Sequence, residues 1–289
     1  FELSHEISDT PYNGDIKKCL ASIVSRFFGK VDTKYVLIMG VSEDISAELT
    51  DTIMLAGYNP NKGKAFLVSI PRDTFVGESE ARGRANDKIN AQYSRGVDKT
   101  VKAVEGLTNI KIDNYIVVKT GMLVEIVDLI GGIEFDVPIK MDYDDPTQDL
   151  HIHLEKGVQT INGDKAEQLL RFRHNNNGTS YPVSYGDNDI GRMRTQREFM
   201  KTVAKQTLRV ENITKIKKII NTVSSNLITD LDTKEMMAYV PHLAVFDIEN
   251  LKTEQVTGQN KYLNGISFFI ADEQETKELI KNLVNEINT

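Results

Sequence analysis

Residues 52–73 read TIMLAGYNPNKGKAFLVSIPRD, and this stretch decides the fold. Two short apolar runs, 52–58 and 65–70, are separated by Asn, Pro and Gly residues that favour turns. Such runs predict buried β-strands. Asp51 stands at the start of the first strand and Asp73 follows the second. If the strands are antiparallel neighbours, both carboxylates lie at the same edge of one sheet.

Strands and helices interleave along the rest of the chain. Further strands are predicted at 35–40, 115–119, 133–138 and 149–155, and near 252–256 and 266–270. Helices are predicted at 97–107, 121–132, 162–173, about 189–209, 213–224, 232–241 and 272–287. This order predicts an α/β fold with a central, mainly mixed β-sheet flanked by helices. Two polar loops, 74–87 and 174–189, interrupt the plan, and long loops often carry function.

Composition narrows the possible classes of protein. The 289 residues have a formal net charge of −7 and include one cysteine, Cys19. An acidic chain has no general basic field for nucleic acid, so any anion site must be local. One cysteine excludes an internal disulfide and a cysteine-based metal centre.

The N-terminal region is expected to be separate from the catalytic unit. No apolar run approaches the roughly 18 residues needed to span a bilayer. The chain begins at Phe1 without a methionine. We expect residues 1–30 to be a lead-in that follows a removed membrane anchor, and residues 31–289 to form a single domain.

Arginine is concentrated in the middle of the chain. Nine of the 11 arginines lie between positions 72 and 197, and none follows 209. A guanidinium binds phosphate or carboxylate with two hydrogen bonds, which an ammonium cannot do. We interpret three clusters as parts of one anion site; the alternative is solvated cations near helix ends. The clusters are Arg72/Arg82/Arg84/Lys88, Arg171/Arg173 and Arg192/Arg194/Arg197.

Carboxylates complete this predicted site. Asp51 and Asp73 are hard oxygen ligands, which suit Mg²⁺ bound together with substrate phosphates. Aspartates are also common in turns and caps at strand ends, and the spacing leaves that alternative open. Arg171 and Arg173 are two positions apart, so both reach one site only if their helix ends there.

Six motifs follow one another along residues 35–209. They are TDTIMLAGYNP (50–60), AFLVSIPRDTFV (65–76), DKINAQYSRG (87–96), VEGLTNIKIDNYIVVKTGMLVEIVDLIGGIEFDVP (104–138), LEKGVQTINGDKAEQLLRFRH (154–174) and DNDIGRMRTQREFM (187–200). In this order they resemble the LytR–CpsA–Psr (LCP) family of Gram-positive cell-wall enzymes. Residues 35–209 are the most diagnostic part of the chain.

The resemblance implies an enzyme at the extracytoplasmic face of the cell membrane or in the cell wall, anchored by an N-terminal helix absent from this chain. Such an enzyme transfers a secondary wall glycopolymer, such as teichoic acid or capsular polysaccharide, from a polyprenyl-pyrophosphate carrier to peptidoglycan. The implied fold holds the polyprenyl chain in a hydrophobic tunnel. The implied cofactor is Mg²⁺, with Mn²⁺ as an alternative, and nucleic acid is not an expected partner.

The family motifs also imply site residues. Asp51, Arg72 and Asp73 would be catalytic, both aspartates would hold the metal, and Asp73 could also accept a proton from the attacking hydroxyl. Arg84 and Lys88 are alternatives for one phosphate contact. The full implied set of pyrophosphate-binding residues is Arg72, Arg84, Lys88, Asn90, Arg171, Arg173, Arg192 and Gln196.

Two positions depart from the family pattern. Ser42 replaces an aspartate that often follows the glycine of the first strand, so one contact would be lost or taken by Asp44. Thr195 stands where a second arginine is usual in the late motif, which leaves Arg192 as the assignment there.

Other interpretations stay open. The same site with water as acceptor would be a polyprenyl-pyrophosphate pyrophosphatase, and a site without chemistry would be a binding module for a lipid-linked glycan. A DNA-binding regulator is disfavoured by the net charge and by the lack of a helix-turn-helix pattern. His151 and His153 share one strand face, but the sequence shows no third ligand, so we interpret them as a surface pair.

Overall fold

The computed structural model describes residues 31–41, 49–207, 215, 218–222, 227–243, 246 and 251–289. The strands are β1 (Lys34–Val41), β2 (Thr50–Asn59), β3 (Lys64–Ser69), β4 (Asn114–Lys119), β5 (Ile133–Val137), β6 (Met141–Asp145), β7 (Leu150–Leu154), β8 (Gly157–Ile161), β9 (Ile228–Thr229), β10 (Leu251–Gln255), β11 (Gly258–Leu263) and β12 (Ile266–Ala271). The helices are α1 (Val97–Thr108), α2 (Thr120–Ile130), α3 (Gly163–Arg171), α4 (Asn188–Thr207), α5 (Thr233–Leu243) and α6 (Glu273–Asn288).

The central sheet has the strand order β10-β3-β2-β1-β4-β9. β1 pairs antiparallel with β2 and parallel with β4, and β2 pairs antiparallel with β3. The predicted α/β class with a central mixed sheet is therefore confirmed. The carboxyl ends of β1, β3 and β4 meet the amino end of β2 at one edge of the sheet.

The two faces of the sheet have different roles. Leu37 and Met39 are fully buried in a core that includes apolar residues of α1 and α6. Ile38 and Gly40, which alternate with them, line a cavity on the opposite face. Because side chains of a strand alternate between faces, one face of β1 is committed to packing and the other to the cavity.

A second core covers the cavity face of the sheet. It is formed by α2, α3, α4 and the two ribbons β5–β8 and β6–β7. Val117 of β4 belongs to the first core, whereas the next residue, Val118, packs against the second. The sheet is thus covered on both faces, as its largely apolar central strands require.

Local signals explain the helix ends. Asn162 caps α3 by accepting a hydrogen bond from the Lys165 N–H at 3.1 Å, and Asp272 caps α6 by accepting from the Glu275 N–H at 2.9 Å. α2 ends, as predicted, at paired glycines. Gly131 there has a φ of 94°, and the left-handed region accommodates glycine without a steric penalty.

Several predicted elements differ in detail. β6, β8, β9 and β11 were not predicted, because they are short or largely polar. β6, β8 and β11 each pair in a two-stranded ribbon outside the central sheet, whereas the two-residue strand β9 lies at the edge of that sheet. β12, predicted near 266–270, belongs to the ribbon with β11. The helix predicted at 162–173 ends at Arg171, where Phe172 has a ψ of 132°.

Some predictions lie outside the described residues. These are the lead-in at 1–30 and the departures at Ser42 and Asp44, while the predicted helix 213–224 is described only at 215 and 218–222, which are helical. Among the residues that are described, no helix combines the length and apolarity needed to cross a membrane.

Close packing between α2 and α3 gives a testable prediction. A Cβ added at Gly163 would lie 2.5 Å from both Asp128 Oδ2 and Val124 Cγ1. We expect Gly163→Ala to lower the free energy of unfolding by about 1–3 kcal/mol, since this overpacks a tight contact. Chemical denaturation measures the change.

Gly106→Ala in α1 is the matched control, because a Cβ there meets no atom within 4 Å. Gly106 is an exposed helical residue, so its replacement by alanine should raise the free energy of unfolding by about 0.4–1 kcal/mol. Equal effects of the two substitutions would contradict the packing argument.

Candidate functional site

Arg72 connects two carboxylates at the carboxyl edge of the sheet. Its Nη1 donates to Asp51 Oδ1 at 2.7 Å, and its Nε lies 4.0 Å from Asp73 Oδ2. Asp51 comes from the start of β2 and Asp73 from the turn after β3, so the antiparallel pairing of these strands brings both to one edge. The side chains of all three residues are between 18% and 26% exposed, so the ion pairs are partly shielded from water.

The turn after β3 continues into a segment that adds one more cation. Lys88 Nζ lies 2.8 Å from Asp73 Oδ1. The Asn90 N–H donates to the Arg72 carbonyl at 3.1 Å, and Asn90 is buried. Arg84, the alternative to Lys88, is exposed. The lining of the cavity includes Asp51 but none of Arg72, Asp73, Arg84, Lys88 and Asn90. The structure therefore brings Lys88 and Asn90 to the carboxylates, and leaves Arg84 on the outer loop.

A cavity of about 450 Å³ begins beside these carboxylates, on the sheet face opposite to α1 and α6. Its lining combines cations with apolar side chains. The charged and polar lining residues are Asp51, Thr52, Lys119, Gln148, Arg171, Arg173, His174, Arg192 and Gln196. The others are Ile38, Gly40, Val41, Met54, Val118, Leu123, Tyr143, Leu150, Leu170 and Met200.

The end of α3 delivers two arginines to this cavity. Arg171 is the last residue of the helix, and Phe172 turns the backbone into an extended conformation. Both Arg171 and Arg173 consequently line the cavity, as they could only if the helix ended there. Arg171 Nη1 donates to Glu167 Oε1 at 3.1 Å, and Arg173 Nη2 lies 4.0 Å from Asp51 Oδ1.

α4 contributes Arg192 and Gln196, which are one helical turn apart and 4% and 5% exposed. Gln196 Oε1 accepts a hydrogen bond from Thr52 Oγ1 at 3.0 Å. Gln196 Nε2 donates to the Leu170 carbonyl at 3.3 Å. Gln196 therefore ties α4 both to the edge of the sheet and to the end of α3.

The neighbouring residues of α4 point elsewhere. The Arg194 guanidinium lies 4.4 Å from the ring centroid of Tyr185. Thr195, the departure from the family pattern, is buried and donates to the Gly191 carbonyl at 3.0 Å. Burial raises the pKa of the adjacent Tyr181 to about 12, so its hydroxyl stays neutral at ordinary pH. Arg192, Arg194 and Arg197 thus do not act as one cluster; only Arg192 lines the cavity.

Sequence reasoning missed Lys119, Thr52, His174 and Tyr143 as lining residues. Lys119 ends β4, which runs parallel to β1, so both strands finish at the cavity edge. A lysine closing an apolar strand was the available signal. Tyr143 gave none, because it lies on β6, a strand that was not predicted. Its ring packs edge-to-face on His174, with the centroids 5.3 Å apart.

The donor set fits a hard divalent cation by its chemistry. Asp51 and Asp73 flank a single guanidinium, and carboxylate oxygens are the ligands that Mg²⁺ prefers. Lys119, Arg171, Arg173 and Arg192 line the adjoining cavity, where Asp51 is the one carboxylate among the described lining residues. In an acidic chain this local excess of positive charge is the feature that distinguishes the cavity from the rest of the surface.

Fold and site together define a mixed α/β protein with a partly apolar cavity, lined by four cationic side chains (Lys119, Arg171, Arg173 and Arg192), at the carboxyl edge of its sheet. The model of the LytR_cpsA_psr family matches residues 12–285, and the chain belongs to this family. The crystal structure of TagV from Bacillus subtilis has the same fold, with a TM-score of 0.73 and 27% identity over 90% of this chain and 98% of that one.

Named relatives are similar along most of this chain. TagU of Bacillus cereus, a polyisoprenyl-teichoic acid–peptidoglycan teichoic acid transferase, is 30% identical, and the match covers 86% of this chain and 77% of that protein. TagV of B. subtilis carries the same description and is 28% identical, and the match covers 88% of this chain and 64% of that protein. Biofilm regulatory protein A of Streptococcus mutans is 29% identical, and the match covers 85% of this chain and 61% of that protein. The chain spans less than two thirds of the last two proteins.

The Arg72–Asp51 pair yields a stability prediction. Asp51→Asn removes the carboxylate that faces both Arg72 and Arg173 while keeping the shape of the side chain. We expect the free energy of unfolding to fall by about 1–3 kcal/mol, because a partly buried guanidinium loses its charged acceptor. Denaturation is followed in a buffer without phosphate or sulfate, since such anions would replace the carboxylate.

Glu80→Gln is the control for this measurement. Glu80 pairs with Lys261 at 2.5 Å, but both side chains are more than 40% exposed. Its removal should change stability by no more than about 0.5 kcal/mol. An Asp51→Asn protein as stable as this control would contradict a stabilising role for the pair.

Proposed function

We propose that this chain transfers a secondary wall glycopolymer from a polyprenyl-pyrophosphate carrier to peptidoglycan. The observation that carries the proposal is the convergence of Arg171, Arg173 and Arg192 on one cavity that also has Asp51 and an apolar lining. This combination suits a ligand with a diphosphate at one end and a hydrocarbon chain at the other. The names of TagU and TagV, which describe that reaction, support the same conclusion.

The diphosphate is the part of the substrate that the cations would bind. Guanidinium groups bind phosphate oxygens through paired hydrogen bonds. Arg171 and Arg173 approach from the last residue of α3 and the segment after it, and Arg192 approaches from α4. Lys119 adds a point charge at the end of β4. Binding from several sides fixes the orientation of the phosphorus atoms, which is the main requirement for phosphoryl transfer.

The hydrocarbon chain would occupy the apolar part of the same cavity. Met54, Leu123 and Leu150 are each less than 10% exposed and face the cavity from β2, α2 and β7. A volume of about 450 Å³ lies within the range of roughly 300–1,000 Å³ typical of small-molecule sites. It would accept part of a polyprenyl chain, so the hydrophobic tunnel is retained as a proposal.

Asp51 and Asp73 would hold the metal ion, Mg²⁺ or Mn²⁺, as carboxylate ligands. When bound, such an ion supplies positive charge that stabilises phosphate oxygens during transfer. Arg72 keeps both carboxylates at the sheet edge beside the phosphate-binding cations. Asp51 belongs to β2 and Asp73 to the turn after β3, so the two carboxylates come from adjacent strands of the sheet.

The reaction would be a single displacement at phosphorus. An acceptor hydroxyl of peptidoglycan forms a bond to the phosphorus that carries the glycan, and the bond from that phosphorus to the oxygen of polyprenyl phosphate breaks. Asp73 would accept the proton of the hydroxyl, and polyprenyl phosphate would leave with the electron pair of the broken bond. The arginines stabilise negative charge on the non-bridging and leaving oxygens.

This reaction would place the enzyme at the extracytoplasmic face of the cell membrane, where peptidoglycan is available. Its partners would be the lipid-linked glycan, the peptidoglycan acceptor and the membrane that contains the carrier. Water in place of the acceptor would turn the same site into a pyrophosphatase, which the following experiment distinguishes.

The transfer itself is tested with a radiolabelled glycan on polyprenyl diphosphate, isolated peptidoglycan and Mg²⁺. We expect label to appear on peptidoglycan and polyprenyl phosphate to be released. Arg173→Gln should reduce the transfer rate by about 10²-fold or more, because one charge-stabilising donor is lost. Arg194→Gln is the matched control, since Arg194 packs on Tyr185 outside the cavity lining.

Each outcome of this assay is decisive. If the labelled glycan is released to solution and none reaches peptidoglycan, the enzyme is a pyrophosphatase and not a transferase. Tight binding of the lipid-linked glycan without either product would indicate a binding module. Equal loss of transfer in the Arg173 and Arg194 variants would overturn the assignment of the cavity as the active site.

The lipid part of the proposal is tested at Met200, a partly buried cavity residue. Met200→Trp fills apolar volume, so affinity for a long-chain polyprenyl diphosphate should fall about tenfold or more, a change of roughly 1.4 kcal/mol. Affinity for inorganic diphosphate should stay the same. Met236→Trp in α5 is the control, because Met236 is also partly buried and does not line the cavity. Unchanged binding of the long chain by Met200→Trp would place the lipid elsewhere.

A further inference from the structure

The ribbon of β6 and β7 carries histidines and carboxylates on its outer face. Asp142 stands opposite His153 in the register, and Asp144 stands opposite His151. All four side chains are exposed, between 42% and 56%. They alternate with buried or partly buried residues, so the two strands present a square of two imidazoles and two carboxylates to solvent.

Three of these side chains, those of Asp144, His151 and His153, lie close together. Asp144 Oδ1 lies 2.5 Å from His151 Nδ1 and 3.3 Å from His153 Nε2. One ligand atom from each of the three residues lies within 4.8 Å of the others. The sequence showed no third candidate ligand beside His151 and His153; in the structure Asp144 stands in that position, on a strand the sequence did not reveal.

The outer nitrogen of each imidazole faces a further carboxylate. His153 Nδ1 is within hydrogen-bond distance of Asp142 Oδ1 at 2.9 Å, whereas His151 Nε2 is 3.8 Å from Asp149 Oδ1, too far for a hydrogen bond. A carboxylate that accepts a hydrogen bond from one ring nitrogen fixes the tautomer in which the other nitrogen has an available lone pair. Metal-binding histidines in proteins are commonly oriented in this way.

We propose that Asp144, His151 and His153 form a binding site for a divalent cation of the zinc class, with Asp142 as the carboxylate that orients His153. Two imidazole nitrogens and one carboxylate oxygen are the ligand types that Zn²⁺ prefers, whereas Mg²⁺ prefers oxygen alone. Three protein ligands leave a fourth position for water. The site is separate from the aspartates at the sheet edge and takes a different class of ion.

A cation here would cross-link the ribbon that forms one wall of the cavity. Tyr143 and Leu150, on the opposite face of the same two strands, line the cavity. The outer edge of β6 is held by the loop after α3, where Asn175 Oδ1 and Asn176 Oδ1 accept from the N–H groups of Asp142 and Asp144 at 2.7 and 2.9 Å. The proposed site joins β7 to β6 through side chains, and so adds a stabilising contact to that wall.

Titration calorimetry with Zn²⁺, in the presence of excess Mg²⁺ to occupy all-oxygen sites, tests the proposal. We expect the protein to bind one Zn²⁺, and His151→Gln, His153→Gln and Asp144→Asn each to weaken binding by about 10²-fold or more. Asp142→Asn should weaken it by about 10–100-fold, since Asp142 orients a ligand without being one. Zn²⁺ should also raise the Tm of the unaltered protein by a few degrees, because it binds only the folded chain.

Glu155→Gln is the matched control. Glu155 lies next to β7 and pairs with Lys140 at 2.9 Å, away from the imidazoles, so its loss should leave Zn²⁺ affinity unchanged. All the substituted side chains are exposed, and the Tm without metal checks that each variant is folded. The proposal is overturned if the unaltered protein fails to bind Zn²⁺, or if the His151 and His153 variants bind it as tightly as Glu155→Gln does.

Discussion

One guanidinium between two carboxylates organises the site. Arg72 contacts Asp51 from β2 and lies near Asp73 in the turn after β3, and that turn is closed by hydrogen bonds from Thr74 to the Pro71 carbonyl. Separating a partly buried charge from its partners is costly. The pairing of β2 with β3, the turn that follows and the position of Asp51 are therefore coupled, and the cations that line the cavity are arranged around this fixed point.

Alternation along the central strands explains how a stable core and a cavity coexist. One face of β1 and β2 is filled by apolar side chains that pack under α1 and α6. The other face carries small or polar residues such as Gly40 and Thr52 at the sheet edge, and the helices covering it leave a space lined by both charges and hydrocarbon. Both faces are covered by a hydrophobic core, and the cavity lies where the second core leaves the sheet edge uncovered.

The local positive charge is built from elements that are far apart in sequence. Arg171 and Arg173 come from the end of α3, Arg192 from α4 and Lys119 from the end of β4. Gln196 holds two of these elements to the sheet through neutral hydrogen bonds. The β6–β7 ribbon adds a second kind of site: its inner face closes the cavity, and its outer face presents histidine and aspartate to solvent.

The α/β class, five of the six strands of the central sheet, the main helices and the family could be predicted from the sequence, because apolar periodicity, turn residues and motif order can be read directly along the chain. The sequence also indicated that Asp51 and Asp73 share a sheet edge. Only the tertiary structure decided that Lys88 rather than Arg84 reaches Asp73, that Lys119 joins the lining, and that Asp144 meets the two histidines. These outcomes depend on loop path, strand pairing and helix termination, which are set by long-range packing and leave no periodic signal in the chain.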